Sequence, residues 1–103
     1  MVARSIIDTA REFAQAVNRR FPVKCVVLYG SYARGNPQKY SDIDIAVVLQ
    51  QEPEDILKTE AELFRLGMDV DVRIEPIIVD ENHDPSGFYE DISRYGTVVF
   101  SAL

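Results

Sequence analysis

The chain has 103 residues, 47% of them hydrophobic and 27% charged, with a formal net charge of −6 at pH 7. That length predicts one domain over residues 1–103, large enough to bury a core and too short for a second folded module. The charge excludes a general nucleic-acid-binding surface, which needs clustered Lys and Arg; the lack of an apolar run of about 18 residues or a signal-like start predicts a cytoplasmic protein with no membrane partner.

Ile6, Ile7, Ala10, Phe13, Ala14 and Val17 recur at helical spacing. They predict an amphipathic helix to about Arg20, with Ser5 and Asp8 forming a capping-box-like start. Phe21-Pro22 ends it, and VKCVVLY, Val23 to Tyr29, is a β-branched and aromatic run of strand length. Cys25 is the only cysteine, so no internal disulfide forms, and its apolar setting reads as that of a small core residue. Gly30 breaks the strand. Gly30 to Tyr40, with Asn36-Pro37, reads as a loop carrying a helical turn over Tyr32, Ala33 and Arg34.

Asp42 to Leu49 is the second predicted strand. Pro53 opens a helix whose apolar side is Ile56, Leu57, Ala61, Leu63 and Phe64, and Gly67 closes it. From Asp69 to Val79, DVDVRIEPIIV alternates charged and apolar residues up to Pro76. This predicts an edge strand with Asp69, Asp71, Arg73 and Glu75 on one face. Asp80 to Gly87 reads as loop, Phe88 to Tyr95 as a short helix ending at Gly96, and Thr97 to Phe100 as a last strand or an extended tail. The order implies an α/β (α+β) domain, a small mixed sheet flanked by helices.

Chemistry concentrates in GSYARGNPQKYSDIDIAVV, Gly30 to Val48. In a strand, Asp42 and Asp44 emerge on one side about 7 Å apart, with Ile43 and Ile45 on the other. Neighbouring carboxylates repel unless a cation lies between them, so the pair reads as a divalent-metal site. Gly30-Ser31 leaves a strand with backbone N–H groups and a hydroxyl exposed, a turn able to cradle a phosphate or simply to turn. Tyr29, Tyr32 and Tyr40 flank the motif, either to stack on a base or to pack with a wet hydroxyl. His83 has no metal-ligand spacing around it and reads as a solvated loop residue.

Gly30-Ser31, a spacer of ten residues and Asp42-x-Asp44 resemble the signature of the minimal nucleotidyltransferases in the DNA polymerase beta-like nucleotidyltransferase superfamily. GSYARG followed by SDIDIAVV carries the resemblance in detail, and it extends over nearly the whole chain. It implies the polymerase beta-like nucleotidyltransferase fold. It also implies two Mg²⁺ ions held by Asp42, Asp44 and a third acid, and ATP as substrate, its terminal phosphates held by Gly30 and Ser31. Arg34 either adds a contact to those phosphates or is a surface residue. Asp71, in VDVRI, is the best match to the third acid; Glu75 has the same strand parity and is the alternative, with Asp69 behind both, and all three also fit a solvated strand face. Short members of this family accompany a helical HEPN ribonuclease toxin, so the resemblance implies an antitoxin that transfers AMP from ATP to a tyrosine of such a toxin. The alternatives are a non-catalytic antitoxin that masks its partner and a transferase acting on a small molecule such as an antibiotic, which would need extra structure to hold the drug.

Overall fold

Side-chain alternation across four strands decides which residues this chain buries and which it leaves for chemistry. A computed structural model describes residues 2–38 and 40–102, so Lys39, within the Gly30 to Val48 stretch, lies outside the described residues. The elements are α1 (Arg4–Asn18), β1 (Val23–Tyr29), α2 (Gly30–Arg34), β2 (Ile43–Leu49), α3 (Ile56–Val70), β3 (Ile74–Ile78), α4 (Phe88–Tyr95) and β4 (Thr97–Ser101). The sheet order is β3-β2-β1-β4. Strand β1 runs antiparallel to β2 and β4, whereas β2 and β3 are parallel and joined through α3. The small mixed sheet flanked by helices is therefore the predicted architecture.

One sheet face is dry. Val26 and Leu28 of β1, Ile43, Ile45 and Val47 of β2, and Ile74 of β3 pack there against Ala10, Phe13, Ala14 and Val17 of α1 and Leu63 of α3. A register shift between Val23 and Cys25 turns Val23 onto this face as well, as an inserted residue does. The opposite parity, Val27 and Ala46, meets only Ile92 of α4, with Cys25, Tyr29, Ile77, Val79 and Tyr89 around them. Among the described residues, no helix is long and apolar enough to cross a membrane.

Four local expectations are corrected. Helix α3 opens not at Pro53 but at Ile56, capped by Asp55, and of its predicted apolar side only Leu63 is buried, with Ile56, Leu57 and Phe64 exposed. Helix α1 starts at Arg4 with Ala3 at the cap and no side-chain cap bond, so Ser5 lies inside the helix and the capping box does not form. Gly67 does not close α3; it is buried in the helix, where a Cβ would come 3.0 Å from Cγ2 of Ile74 and 3.6 Å from Cε1 of Phe13. The helix runs on to Val70, and β3 begins only at Ile74, so Asp69, Asp71, Arg73 and Glu75 do not share a strand face. The alternation in DVDVR mimics a strand, but Asp69 and Val70 finish α3, Asp71 is its cap and Val72 and Arg73 turn the chain into β3, with Gly67 packed under Ile74. Pro76 does lie on an edge strand, where its missing N–H costs no ladder bond.

Gly96 joins α4 to β4 where the chain has no spare room: a Cβ there would sit 2.5 Å from the Ile92 carbonyl oxygen, 2.6 Å from Cγ1 of Val27 and 2.8 Å from the Leu28 carbonyl oxygen. Two of these neighbours are backbone and cannot rotate away. Gly96→Ala is expected to lower the unfolding free energy by about 1–3 kcal/mol, read as a fall in the urea midpoint at unchanged m.

Candidate functional site

Gly30 ends β1 with φ 79°, a left-handed conformation that side chains disfavour. Its Cα faces a carboxylate: a Cβ at position 30 would lie 2.2 Å from Oδ2 of Asp44 and 3.1 Å from its Cγ. The antiparallel register sets this meeting by pairing Tyr29 with Asp44. Ser31 to Arg34 then form the rest of α2, closed by Gly35 at φ 78°, whose N–H donates to the Tyr32 carbonyl at 3.2 Å, while the Asn36 N–H donates to the Ser31 carbonyl at 3.1 Å. The predicted turn and the predicted acid pair thus share one contact.

Asp44 points to the sparsely covered face, with the parity of Ala46. Burial pushes its carboxyl above the usual carboxylate pKa, and the charges of Asp42 and then Glu75 push it further, against a smaller opposing effect of Arg34. Asp42 is exposed and precedes β2 by one residue. Glu75 is directly opposite Asp44 in the parallel β2–β3 register, which separates neighbouring strands by about 5 Å. Partial burial, and then the charges of Asp44 and Glu75, push the half-buried Tyr29 hydroxyl up to about 12, so it keeps its proton at neutral pH. Its ring packs edge-on to Phe88, centroids 5.5 Å apart.

Asp71 lies elsewhere. It is the C-cap of α3, and both its carboxylate oxygens accept from Arg73: Oδ1 from the backbone N–H at 2.9 Å and from Nε at 3.0 Å, Oδ2 from Nη2 at 2.7 Å. The guanidinium holds the Asp71 carboxyl below the usual carboxylate range. Asp69 lies within α3, and of the three candidate third acids Glu75 is the one the register brings beside Asp44. Among the described residues, no group of three or more His, Cys, Asp and Glu side chains is gathered closely enough to hold a metal ion. The donor chemistry nevertheless suits Mg²⁺, which takes carboxylate oxygens together with substrate phosphates rather than an all-protein cage, and a bound cation would relieve the mutual repulsion that raises Asp44.

A groove of about 280 Å³ beside Gly30 runs between α2 and α4, lined by Tyr29, Arg34, Phe88 and Tyr95 among others. Two larger cavities, about 420 and 320 Å³, surround Leu49 to Pro53 at the other end of β2. Neither contains a candidate residue, and the charged groups, not the volume, mark the site. Arg34 is exposed at the rim of the smaller groove, and Tyr40 and His83 are exposed. Arg73 was legible only as one of four charges on a strand face; its pairing with Asp71 belongs to a turn that the alternating pattern concealed.

Residues 10–98 match the nucleotidyltransferase domain family. The chain is 29% identical over 100 residues to a proposed protein adenylyltransferase, MJ0141, of Methanocaldococcus jannaschii, covering 91% of this chain and 98% of that protein. Its fold matches a toxin–antitoxin structure with AMP-PNP at TM-score 0.69 and 22% identity, covering 90% of this chain and 73% of the other. It also matches the complex of tri-AMPylated Shewanella oneidensis HEPN toxin with MNT antitoxin, at TM-score 0.65 and 19% identity, covering 94% and 73%.

The contact between Gly30 and Asp44 yields a test that needs no substrate. Gly30→Ala is expected to cost about 1–2 kcal/mol from the left-handed backbone alone, and more because the added methyl displaces the Asp44 carboxylate. In an Asp44→Ala background the second penalty disappears. Thermal denaturation of the four proteins should give a coupling of at least about 0.5 kcal/mol; simple additivity would mean that the close approach is absent.

Proposed function

The chain belongs to the nucleotidyltransferase domain family, which its residues 10–98 match, and from that premise we propose that it is a Mg²⁺-dependent protein adenylyltransferase. Its substrate in this reading is ATP and its acceptor a tyrosine hydroxyl of a HEPN-type toxin, which makes it a cytoplasmic antitoxin whose residues 1–103 act as one domain. The observation that carries the reading is the meeting of Asp44 with Gly30, with Asp42 beside it and Glu75 in register. The protein adenylyltransferase name of the relative and the toxin–antitoxin complexes that share the fold support the substrate and the partner.

In this mechanism the α-phosphate of ATP lies over the start of β2. The acceptor hydroxyl gives its proton to a carboxylate of the site or to water as its oxygen attacks the α-phosphorus; an O–P bond forms, and the bond from phosphorus to the bridging oxygen breaks as pyrophosphate leaves with the electron pair. Mg²⁺ held by Asp42, Asp44 and Glu75 would lower the pKa of the acceptor hydroxyl and neutralise charge on the leaving group. Gly30, with no Cβ, leaves room for the Asp44 carboxylate, and the turn it opens presents backbone N–H groups to the phosphates. Ser31 offers a hydroxyl and Arg34 a guanidinium to the terminal phosphates. The protonated Tyr29 hydroxyl can donate to an oxygen in the same space, and the groove beside Gly30 leaves the site open to a protein surface.

Co-expression with a HEPN-type toxin partner should add adenylyl groups to that partner, seen by intact-mass spectrometry, and Asp44→Asn should abolish the addition. A folded, partner-bound Asp44→Asn protein that still protects cells would instead support an antitoxin that works by masking. The same variant separates charge from fold. Because the fold raises the Asp44 pKa, the ionised carboxylate opposes folding, and that penalty grows as pH rises through the folded value. Without Mg²⁺ at neutral pH, Asp44→Asn should therefore melt at or above the wild-type temperature. Mg²⁺ and ATP at about 100 times Kd should raise the wild-type Tm by roughly 10 °C or more and leave that of the variant nearly unmoved.

A further inference from the structure

Helix α2 has five residues, no side-chain bond at its N-cap and no fully buried residue. A helix this short does not hold its own conformation or position, yet it begins with the Gly30-Ser31 turn. Its one aromatic side chain is Tyr32, whose ring packs on the edge of the main core and whose hydroxyl accepts from Nη1 of Arg73 at 3.2 Å. The Arg73 guanidinium carbon lies 6.0 Å from the centroid of the same ring, within cation–π range.

Arg73 is itself fixed on two further sides. Asp71 at the end of α3 grips its Nε and Nη2, and the Asp71 N–H is bound to the Gly67 carbonyl at 2.9 Å. The Arg73 carbonyl accepts from the N–H of Ile43 at 2.8 Å, the residue between Asp42 and Asp44. Glu75 follows two residues later on β3. One residue thus ties the helix of the Gly-Ser turn to the strand of the paired acids.

We propose that Arg73 is a positioning residue that holds α2 against the start of β2, and that Asp71 serves to hold Arg73 rather than to bind metal. This rests on the nucleotidyltransferase reading of the site. Both Asp71 oxygens are occupied by Arg73, and the planar fork of arginine, unlike the ammonium of lysine, grips a carboxylate with two nitrogens while a third reaches Tyr32. Loss of the clamp lets α2 drift, which weakens the hold on the nucleotide more than it slows the chemistry at Asp44.

The test compares wild type, Arg73→Ala, Arg73→Lys, Tyr32→Phe and Asp71→Asn in kcat, in KM for ATP, in Kd for AMP-PNP with Mg²⁺ by calorimetry, and in Tm. Arg73→Ala should raise KM and Kd about tenfold, the scale of one charge-assisted hydrogen bond, with a smaller change in kcat. Arg73→Lys should fall between it and wild type. Tyr32→Phe, which keeps the ring on the core, should show a smaller rise, and adding it to Arg73→Ala should change nothing further. Asp71→Asn should follow Arg73→Ala and keep most of its kcat. A collapse of kcat at unchanged Kd in Asp71→Asn would make Asp71 a catalytic acid and overturn the proposal. Variants that shift Tm while KM and Kd stay at wild-type values would overturn it as well, reducing the clamp to a structural contact. If wild type binds AMP-PNP but transfers nothing, the proposed function fails, while the Kd series still decides the role of Arg73; a wild type that neither binds nor transfers overturns both.

Discussion

The absence of a Cβ at position 30 is the constraint on which the site depends. Two separate demands fall on that residue: a left-handed φ of 79° at the exit of β1 and a carboxylate oxygen of Asp44 where a side chain would begin. Either alone would favour glycine, and together they make the end of β1 and the start of β2 a single object. The ten residues between Ser31 and Asp42 need only close the loop, which is why their sequence, with its Asn36-Pro37 and second glycine, carries little of the argument.

The sheet divides stability from chemistry by parity. Its dry face buries Val26, Leu28, Ile43, Ile45, Val47 and Ile74 under α1 and α3. The other face receives only α4, and at the end that α4 leaves open stand Asp42, Asp44 and Glu75. Burial and like charge raise the Asp44 pKa, so the fold holds together carboxylates that would be more stable apart. Strain of this kind persists where the surrounding structure over-determines it, and here the dry face supplies that structure. The overall charge of −6 has the same local reading: acids disfavour a bare polynucleotide but suit a nucleotide that arrives with its cation.

The elements whose limits were legible in the sequence are those bounded by residues with one mechanical meaning. Strand β1 ends at Gly30 because the chain turns there, and α4 ends at Gly96 because nothing larger fits. Gly67 is the counter-example. A glycine near the end of an apolar-periodic run reads as a C-cap, but here its smallness lets Ile74 and Phe13 approach the helix, a tertiary contact that no local pattern encodes. That misreading started the predicted strand at Asp69 and gave Asp71 the parity of Glu75. The approach of Asp44 to the Gly30 turn was legible from the two strands that flank it, with Asp42 one residue ahead of β2; the separation of Asp71 from Glu75 was not, because it depends on where a helix stops.

Topology gathers the rest. Parallel pairing brings the starts of β2 and β3 to the same end of the sheet, and antiparallel pairing brings the finish of β1 there too. Glu75 therefore meets Asp44 only because Ile74 is the first residue of β3. A slip of one residue would turn Glu75 onto the dry face and set Ile74 or Pro76 opposite Asp44. What fixes that starting point is the turn between α3 and β3, closed by the Asp71 carboxylate on the Arg73 backbone N–H and by the Asp71 carbonyl on the N–H of Ile74 at 3.0 Å. Asp71 thus bears on the residue opposite Asp44 without pairing with it: the turn it closes sets the register, and the register puts Glu75 there.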